Sequence, residues 1–466
     1  MIMEDFRMMR QYRISIPLIA LMLSALLFFF TGCDNGKKKK KEEMALIAVI
    51  LSEREPVPDS TIYVSPAGSD WNDGLSWGSA VRTIQKGIDR AGDNSTIIVA
   101  DGTYTGNGNI NLDFDGKALH LKSENGPENC IIDCMGLGRA FHFHNMEDNN
   151  SVVEGFAVTG GFNADLYVGS AILCDDSSPV IINCRFTNNK ADLHGGAVFC
   201  NYASPVIMNC TFRGNESGSD GGGLYCDFNS NLSIINCTFE NNTAAYYGGG
   251  LYCRGSTAEI TNCIFTKNEA LHEGGGAACW GASASITNCV FDNNTADGGG
   301  GIFCAGGSFL KVTNCTLSYN NANVKGGTSG GGGVLCGAGT ILLLRNCIIW
   351  NNFTNQDGSQ LYIHDPAPGI PSTVFMNSCC YDDSAGHCGG NASRLTLDSD
   401  CIFTDPLFEP GALTLSSASP CIDAGKNTYI DEVGITADLL GLPRKVDGID
   451  PWDGPIVDIG AYEHQP

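Results

Sequence analysis

Residues 222–265 read GGLYCDFNSNLSIINCTFENNTAAYYGGGLYCRGSTAEITNCIF. The pair Asn-Cys occurs twice in this stretch, and each pair follows an earlier cysteine, Cys226 or Cys253. Both cysteine positions recur seven times along the chain. The Asn-Cys pairs are Asn183-Cys184, Asn209-Cys210, Asn236-Cys237, Asn262-Cys263, Asn288-Cys289, Asn314-Cys315 and Asn346-Cys347. The earlier cysteines are Cys174, Cys200, Cys226, Cys253, Cys279, Cys304 and Cys336. The steps of 26, 27, 26, 26, 26 and 32 residues between the pairs identify a tandem repeat.

Apolar side chains within a repeat alternate with a period of two, which is typical of strands. Phe265 lies two residues after Cys263 and shares its strand face, whereas Ile260 lies three residues before it. We therefore expect a corner at Asn262, since asparagine tolerates the left-handed backbone conformation. Three short strands cannot pair within one repeat, so the predicted fold is all-β, a single parallel β-helix. Its coils would stack about 4.8 Å apart and align like residues in ladders.

The repeat also resembles a known family. Glycine pairs precede an aliphatic residue, and a Phe-x-x-Asn motif follows the Asn-Cys pair. The motif occurs at Phe186 to Asn189, Phe212 to Asn215, Phe239 to Asn242, Phe265 to Asn268 and Phe291 to Asn294. These repeats resemble those of chlamydial polymorphic membrane proteins, which belong among right-handed, pectate-lyase-like β-helix proteins. The resemblance implies a right-handed coil and a surface or adhesive role.

The flanking segments resemble a second group. Tyr63-Val64-Ser65-Pro66 and a helical stretch over Val81 to Ala91 are similar to the amino-terminal caps of secreted β-helix proteins. Ser419 to Gly425 and Asp458 to Glu463 resemble the choice-of-anchor Q family. That resemblance implies a β-helix attached to the cell envelope. Because an open β-helix end exposes strand edges, we expect the helix to cover one end and the acidic tail to cover the other.

The amino terminus is predicted to be an export signal. A basic segment over 7–13 precedes the apolar run Ile14 to Phe30, and Thr31-Gly32-Cys33 follows. This end resembles a bacterial lipobox, which implies lipidation of Cys33 and an outer-membrane or cell-surface location, with the periplasmic leaflet left open. An uncleaved anchor helix is the alternative. The predicted divisions are 1–32 signal peptide, 33–60 tether and linker, 61–105 amino-terminal cap and first coil, 106–400 parallel β-helix and 401–466 carboxyl-terminal cap region.

Composition excludes several classes of protein. Hydrophobic residues make up 43% of the 466 residues, which is enough for a core and excludes wholesale disorder. The net charge of -24 repels phosphate backbones, so the protein is not expected to bind nucleic acid. The expected state is a monomer that contacts the membrane through its amino-terminal lipid.

The chain has 22 cysteines, and those of the two ladders are interpreted as packed free thiols. Cysteine behaves as a small apolar side chain, and neighbouring rungs lie at the edge of disulfide geometry. Export favours disulfides, so cysteines outside the ladders are the better candidates for them. These are Cys130, Cys134, Cys379, Cys380, Cys388, Cys401 and Cys421.

A row of aromatic residues is the candidate ligand-binding surface. If the ladder cysteines point inward, their neighbours point outward. These neighbours are Phe199, Tyr225, Tyr252, Trp280 and Phe303. An exposed stripe of this kind suits stacking against an extended polysaccharide. The alternative is a strand face covered by its own neighbours, since aromatic residues on a sheet need no ligand.

Carboxylates supply the candidate catalytic and metal sites. Glu273 and Asp297 precede glycine runs in adjacent repeats, and a separation of about 5 Å would suit a retaining glycosidase. Ordinary turn residues are the alternative. In the tail, Asp447, Asp450 and Asp453 recur at steps of three and are candidate calcium ligands, with a solvated acidic turn as the alternative.

These features predict an exported, lipid-anchored surface protein that binds glycans or acts as an adhesin. The alternatives are a polysaccharide lyase or glycoside hydrolase that acts along the coil, and a structural spacer that binds nothing. Neither family resemblance supplies an established reaction.

Overall fold

Four parallel sheets run along the molecule, because a complete coil contributes one short strand to each of them, one strand more than the three expected for each repeat. The structure is a computed structural model, and it describes residues 60–162, 168–323, 330–364, 371–384, 386, 388–445 and 455–465. In chain order within a coil, we name the sheets A, B, C and D; they contain 13, 11, 7 and 10 strands. The chain therefore forms the predicted parallel β-helix.

The strand bounds follow the repeat. Sheet A contains Thr61–Val64, Thr96–Val99, His120–Ser123, Val152–Glu154, Val180–Ile182, Val206–Met208, Asn231–Ile235, Thr257–Thr261, Ser283–Thr287, Phe309–Thr313, Ile341–Arg345, Thr373–Asn377 and Leu395–Leu397. Sheet B contains Gly102–Thr105, Cys130–Asp133, Ala157–Thr159, Arg185–Thr187, Thr211–Arg213, Thr238–Glu240, Ile264–Thr266, Val290–Asp292, Thr316–Ser318, Ile348–Trp350 and Cys380–Tyr381. Sheet C contains Lys190–Ala191, Glu216–Ser217, Thr243–Ala244, Glu269–Ala270, Thr295–Ala296, Asn321–Ala322 and Phe353–Thr354. Sheet D contains Phe141–Phe143, Ile172–Asp175, Val198–Asn201, Leu224–Asp227, Leu251–Arg254, Ala277–Trp280, Ile302–Ala305, Val334–Cys336, Leu361–Ile363 and Cys388–Gly390.

Equivalent side chains stack along the axis, as the repeat predicts. Cys226, Cys253 and Cys279 are register partners on successive strands of sheet D. On sheet B, the buried rings of Phe239 and Phe265 lie 4.7 Å apart with an interplanar angle of 3°. The expected corners are present as well. Their seven asparagines, Asn183, Asn209, Asn236, Asn262, Asn288, Asn314 and Asn346, all have φ between 49° and 57°.

A second row of asparagines, the last residue of each Phe-x-x-Asn motif, forms a buried hydrogen-bonded ladder. Asn268 Nδ2 donates to Asn294 Oδ1 at 2.9 Å and to the Phe239 carbonyl at 2.9 Å. Asn268 Oδ1 accepts from the backbone N–H and the side-chain amide of Asn242. The ladder satisfies backbone groups where the chain turns from sheet B to sheet C, so it stabilises each corner.

A short helix, α1 (Ile84–Arg90), covers the amino-terminal end, as predicted. It is shorter than the expected 81–91 because Thr83 is the N-cap and accepts a hydrogen bond from the Lys86 N–H. Ile84 and Ile88 are buried in the main core. The first strand of sheet A, Thr61–Val64, already pairs in register with the second.

The carboxyl-terminal tail lies along the side of the β-helix, so the expectation that it closes the far end needs correction. Apolar residues of the tail, including Leu439 and Ala461, pack on outward residues of sheet B such as Val290. A second helix, α2 (Asn427–Val433), lies near sheet A, where Glu432 forms ion pairs with Lys311 and Arg345. The docking surface on sheet B is a ladder of outward residues, four of which are apolar and one of which is a threonine: Ile264, Val290, Thr316, Ile348 and Cys380.

Every ladder cysteine is buried, which confirms the packing interpretation. The prediction of disulfides among the seven remaining cysteines is not met, since each of them is a free thiol. Six of those seven are buried, and Cys388 is partly exposed. Cys380 and Cys421 do come together, on sheet B and the tail respectively, within one apolar cluster.

Candidate functional site

The outer face of sheet D carries the predicted aromatic row, but this row is covered. Tyr225 and Tyr252 are register partners, and Phe303 follows two strands further on. Their exposed fractions are 1%, 4% and 5%, so the expectation of an open stripe is wrong for these three rings. Phe199 is half-buried, and Trp280 alone among the five predicted residues is well exposed, at 44%.

The turns between sheets C and D cover the row. Each turn contains a glycine at positive φ, such as Gly248 at 67°, and the residue before that glycine folds over the sheet. The ring of His194 stacks 4.7 Å from Tyr225, and the ring of Tyr247 lies 6.0 Å from Phe303. The alternative that the sequence left open, a face covered by its own neighbours, is therefore the one observed.

Beside the covered row lies a smaller surface that we call the rim patch, formed by Tyr246, Tyr247, His272, Glu273 and Trp280. Tyr246 is exposed and stacks in parallel on the exposed His272, with 5.0 Å between the ring centroids. Tyr247 lies 6.5 Å from Trp280 and connects the two exposed groups. The patch therefore offers exposed ring faces on two adjacent turns.

Glu273 is the carboxylate of the rim patch. It is partly buried, and its Oε2 atom is fully buried with no hydrogen-bond partner among the described residues. Burial raises the pKa of Glu273; His272 opposes this shift, whereas the charge of Asp297 reinforces it. A carboxyl group in this setting can accept a hydrogen bond from a ligand hydroxyl or hold a proton for transfer.

The predicted pairing of Glu273 with Asp297 is shifted by one residue. Glu273 bridges to Gly298, whereas the Asp297 N–H donates to the His272 carbonyl at 2.6 Å. The shift arises because the turn is one residue shorter in this repeat. Gly299, three residues after Ala296, takes the positive φ that Gly274 has four residues after Ala270. The charge of Asp297 thus still raises the pKa of Glu273, but Asp297 is not the residue that pairs with Glu273 on the next coil.

Next to the rim patch lies a group of interacting polar side chains that was not predicted: Tyr225, Asp227 and Arg254. Asp227 Oδ2 accepts a hydrogen bond from the Tyr225 hydroxyl at 2.8 Å and lies 3.8 Å from Arg254 Nη1. Burial, together with Asp227, raises the pKa of Tyr225, so its phenol stays neutral. The signal was available in the sequence, since Asp227 and Arg254 each follow a ladder cysteine and must share its neighbour's outward face.

Several ionisable side chains of the carboxyl-terminal tail are buried. Arg444 and Glu463 are fully buried and form an ion pair at 3.3 Å, and Arg444 also donates to Asn288 on the β-helix. Burial raises the pKa of Asp458 to about 6 and that of Glu463 to about 9. Arg444 therefore joins the tail to the coil, whereas Asp458 and Glu463 form their hydrogen bonds within the tail.

Several predicted sites lie outside the described residues, namely the lipidation site Cys33 and the calcium candidates Asp447, Asp450 and Asp453. Among the described residues, no group of three or more His, Cys, Asp or Glu side chains is placed to hold a metal ion. No helix within the described ranges is both long and apolar enough to cross a membrane.

The sequence matches the family described as "Right handed beta helix region" over residues 81–239, 169–296 and 222–419. Since these matches cover most of the chain, the protein belongs to the right-handed β-helix family, in agreement with its four parallel sheets. The handedness implied by the family resemblance is thereby confirmed.

Comparison with other proteins adds little beyond the fold. No curated protein matches the sequence. Among solved structures, XylC in complex with xylose is similar with a TM-score of 0.48 and 10% identity, over 75% of this chain and 87% of that chain. Pectate lyase Pel9A gives 0.40 and 14%, over 89% and 98% of the two chains. DFA-IIIase from Arthrobacter chlorophenolicus A6 gives 0.39 and 10%, over 74% and 99%. Likeness at this level says nothing about the activity of the present chain.

Proposed function

We propose that the protein is an exported, lipid-anchored surface protein that binds glycan chains through the rim patch and thereby acts as an adhesin. One observation carries the proposal: the exposed rings of Tyr246 and Trp280 lie on either side of Tyr247, whose pKa is raised by burial and by the neighbouring, partly exposed carboxyl group of Glu273. Ring faces stack on the apolar faces of sugars, and a carboxylate accepts hydrogen bonds from hydroxyl groups.

Retention of the protein in gels that contain polysaccharides tests this proposal. Trp280→Ala should abolish the retardation of the wild-type chain, and Glu273→Gln should weaken it, because the amide offers a poorer acceptor. Phe309→Ala is a matched control, since Phe309 is also 44% exposed but lies on sheet A. If all variants run alike, the rim patch is not the binding surface. If no polysaccharide retards the wild type, the proposed glycan binding is refuted.

The same assay, repeated with and without calcium, examines the acidic tail. Loss of retention upon calcium removal, reproduced by joint Asn substitution of Asp447, Asp450 and Asp453, would support a bound ion.

Export and anchoring rest on the sequence of the amino terminus. Replacement of Cys33 by Ser should move the protein from the membrane fraction to the soluble fraction if that cysteine carries the lipid.

A second candidate function is that of a polysaccharide lyase or glycoside hydrolase. The specific observation in its favour is that burial raises the pKa of Glu273, with the charge of Asp297 adding to the shift, because a raised pKa favours the protonated form that a general acid needs. Incubation with a polysaccharide panel should then release unsaturated or reducing ends. If products form equally with Glu273→Gln and Asp297→Asn, these carboxylates are not catalytic.

A further inference from the structure

Two exposed aromatic rings lie on the corner between sheets D and A, away from the covered row. Tyr202 and Phe228 are 52% and 50% exposed, and their rings stack 5.5 Å apart with an interplanar angle of 18°. Their φ angles are 47° and 48°, in the left-handed region that disfavours bulky residues. Two aromatic residues therefore occupy corner positions whose positive φ angles favour glycine or asparagine.

The next two corner positions along the axis are glycines. Gly255 and Gly281 follow sheet D as Tyr202 and Phe228 do, and both have positive φ. A Cβ atom at Gly255 would meet no described atom within 4 Å, and one at Gly281 would meet only the Gly306 carbonyl, at 3.6 Å. The aromatic stack thus continues into two open rungs, each about 4.8 Å deep.

The far side of this space also has an aromatic wall. The indole of Trp280 lies over Gly306, where an added Cβ would come within 2.7 Å of Trp280 Nε1. Two open rungs, Gly255 and Gly281, lie between Phe228 and the indole over Gly306, so the open space is about 10 Å long. Arg254 precedes the first open rung, has a side chain that is 55% exposed and lies beside Asp227. We call this space, with Phe228, Arg254 and Trp280 around it, the corner shelf.

We propose that the corner shelf is a binding site for two consecutive sugar rings of an uncharged glycan, seated between Phe228 and Trp280. This inference rests on the proposed function and gives it a second site and a substrate class. The apolar face of the first sugar ring continues the aromatic stack on Phe228, and the exposed Arg254, held beside the buried Asp227, supplies donors for hydroxyl groups. The net charge of -24 disfavours polyanionic chains.

The size of the shelf argues against a protein partner as occupant. A stable protein interface buries roughly 800 Å² on each side. A space about 10 Å long and one ring wide falls well short of that area, but it matches two sugar rings of a short oligosaccharide. The two glycines leave the backbone as its floor, so a sugar ring can approach without displacing any side chain.

Calorimetric titration with short oligosaccharides of glucose, mannose, xylose and N-acetylglucosamine tests the proposal, with oligogalacturonate as the anionic comparison. Gly255→Asn should fill the first rung and weaken binding at least about tenfold, while asparagine still tolerates the φ of 54°. Phe228→Asn should weaken binding by a similar factor. Gly106→Asn is the matched control, because Gly106 also has positive φ and a Cβ added there would meet no described atom within 4 Å.

The outcomes separate this inference from the proposed function. If an uncharged oligosaccharide binds and Gly255→Asn and Phe228→Asn leave its affinity unchanged while Glu273→Gln lowers it, the shelf is refuted and the rim patch stands. Tighter binding of oligogalacturonate than of any neutral probe would refute the substrate class. If no probe binds, or if Phe228→Asn abolishes self-association of the wild type instead, the corner shelf is not a glycan site.

Discussion

Replacing Asn268 with alanine would test whether the buried amide ladder holds the coils together. The Asn268 side chain makes four hydrogen bonds of 2.9–3.0 Å, two donated and two accepted, and the residue is fully buried. Without it, the Asn242 N–H, one amide hydrogen of Asn242 and the Phe239 carbonyl lose these partners. Each buried polar group left unpaired costs roughly 1–2 kcal/mol, so the expected loss in the free energy of unfolding is about 3–6 kcal/mol.

Guanidinium chloride unfolding followed by far-UV circular dichroism measures this loss. The matched control is Asn231→Ala, because Asn231 is exposed and accepts a single hydrogen bond from Thr257. That variant should change stability by no more than about 0.5 kcal/mol. In a solenoid each coil contacts its neighbours alone, so amide exchange should rise first in the coils around Asn268. A loss below about 1 kcal/mol for Asn268→Ala would refute the argument that the ladder is a main stabilising element.

Three further outcomes are expected. Burial raises the pKa values of Asp458 and Glu463, so their protonated forms favour the docked tail. Docking is therefore strongest below the unfolded-state pKa values and weakens as pH rises from about 4 to 9. Proteolysis of the tail should speed up over this range, and Asp458→Asn should make the rate of proteolysis depend less on pH. Gly249→Ala places a Cβ 2.5 Å from two backbone oxygens and should lower the melting temperature, whereas Gly92→Ala, with no described atom within 4 Å, should not. Phe239→Ala should cost about 3–5 kcal/mol in a denaturation experiment, because its fully buried ring stacks on both neighbouring coils.

The repeat period made the fold predictable, because a strict spacing of chemically distinct residues permits one register. Cys226 can align with Cys253 only if each coil closes after one repeat, and the position of Asn262 as a corner follows from the broken alternation. The burial of Tyr225 was not predictable in the same way. It depends on the position of the His194 ring, just as Tyr252 is covered by Tyr247, and strand periodicity does not encode where these two turn residues lie.

Other differences had small local causes. The turn that leads to Gly299 is one residue shorter than the turn that leads to Gly274, so Gly298 and not Asp297 pairs with Glu273. The tail was expected at the end of the coil because exposed strand edges need cover. Its outward partners on sheet B, such as Val290 and Ile348, are apolar, and this apolar ladder could have indicated a lateral docking surface.

The position of the tail bears on where a ligand can approach. Sheet B is covered by the tail over the coils that include Val290 and Ile348, and the corner between sheets A and B is bonded to it through Asn288 and Asn346. On sheet D, Trp280 instead remains exposed, and it contributes to both the rim patch and the corner shelf. A long glycan could therefore contact both sites at once, and the shared indole would make their contributions to affinity non-additive. The double variant Gly255→Asn with Glu273→Gln should then lose less affinity than the two single losses combined.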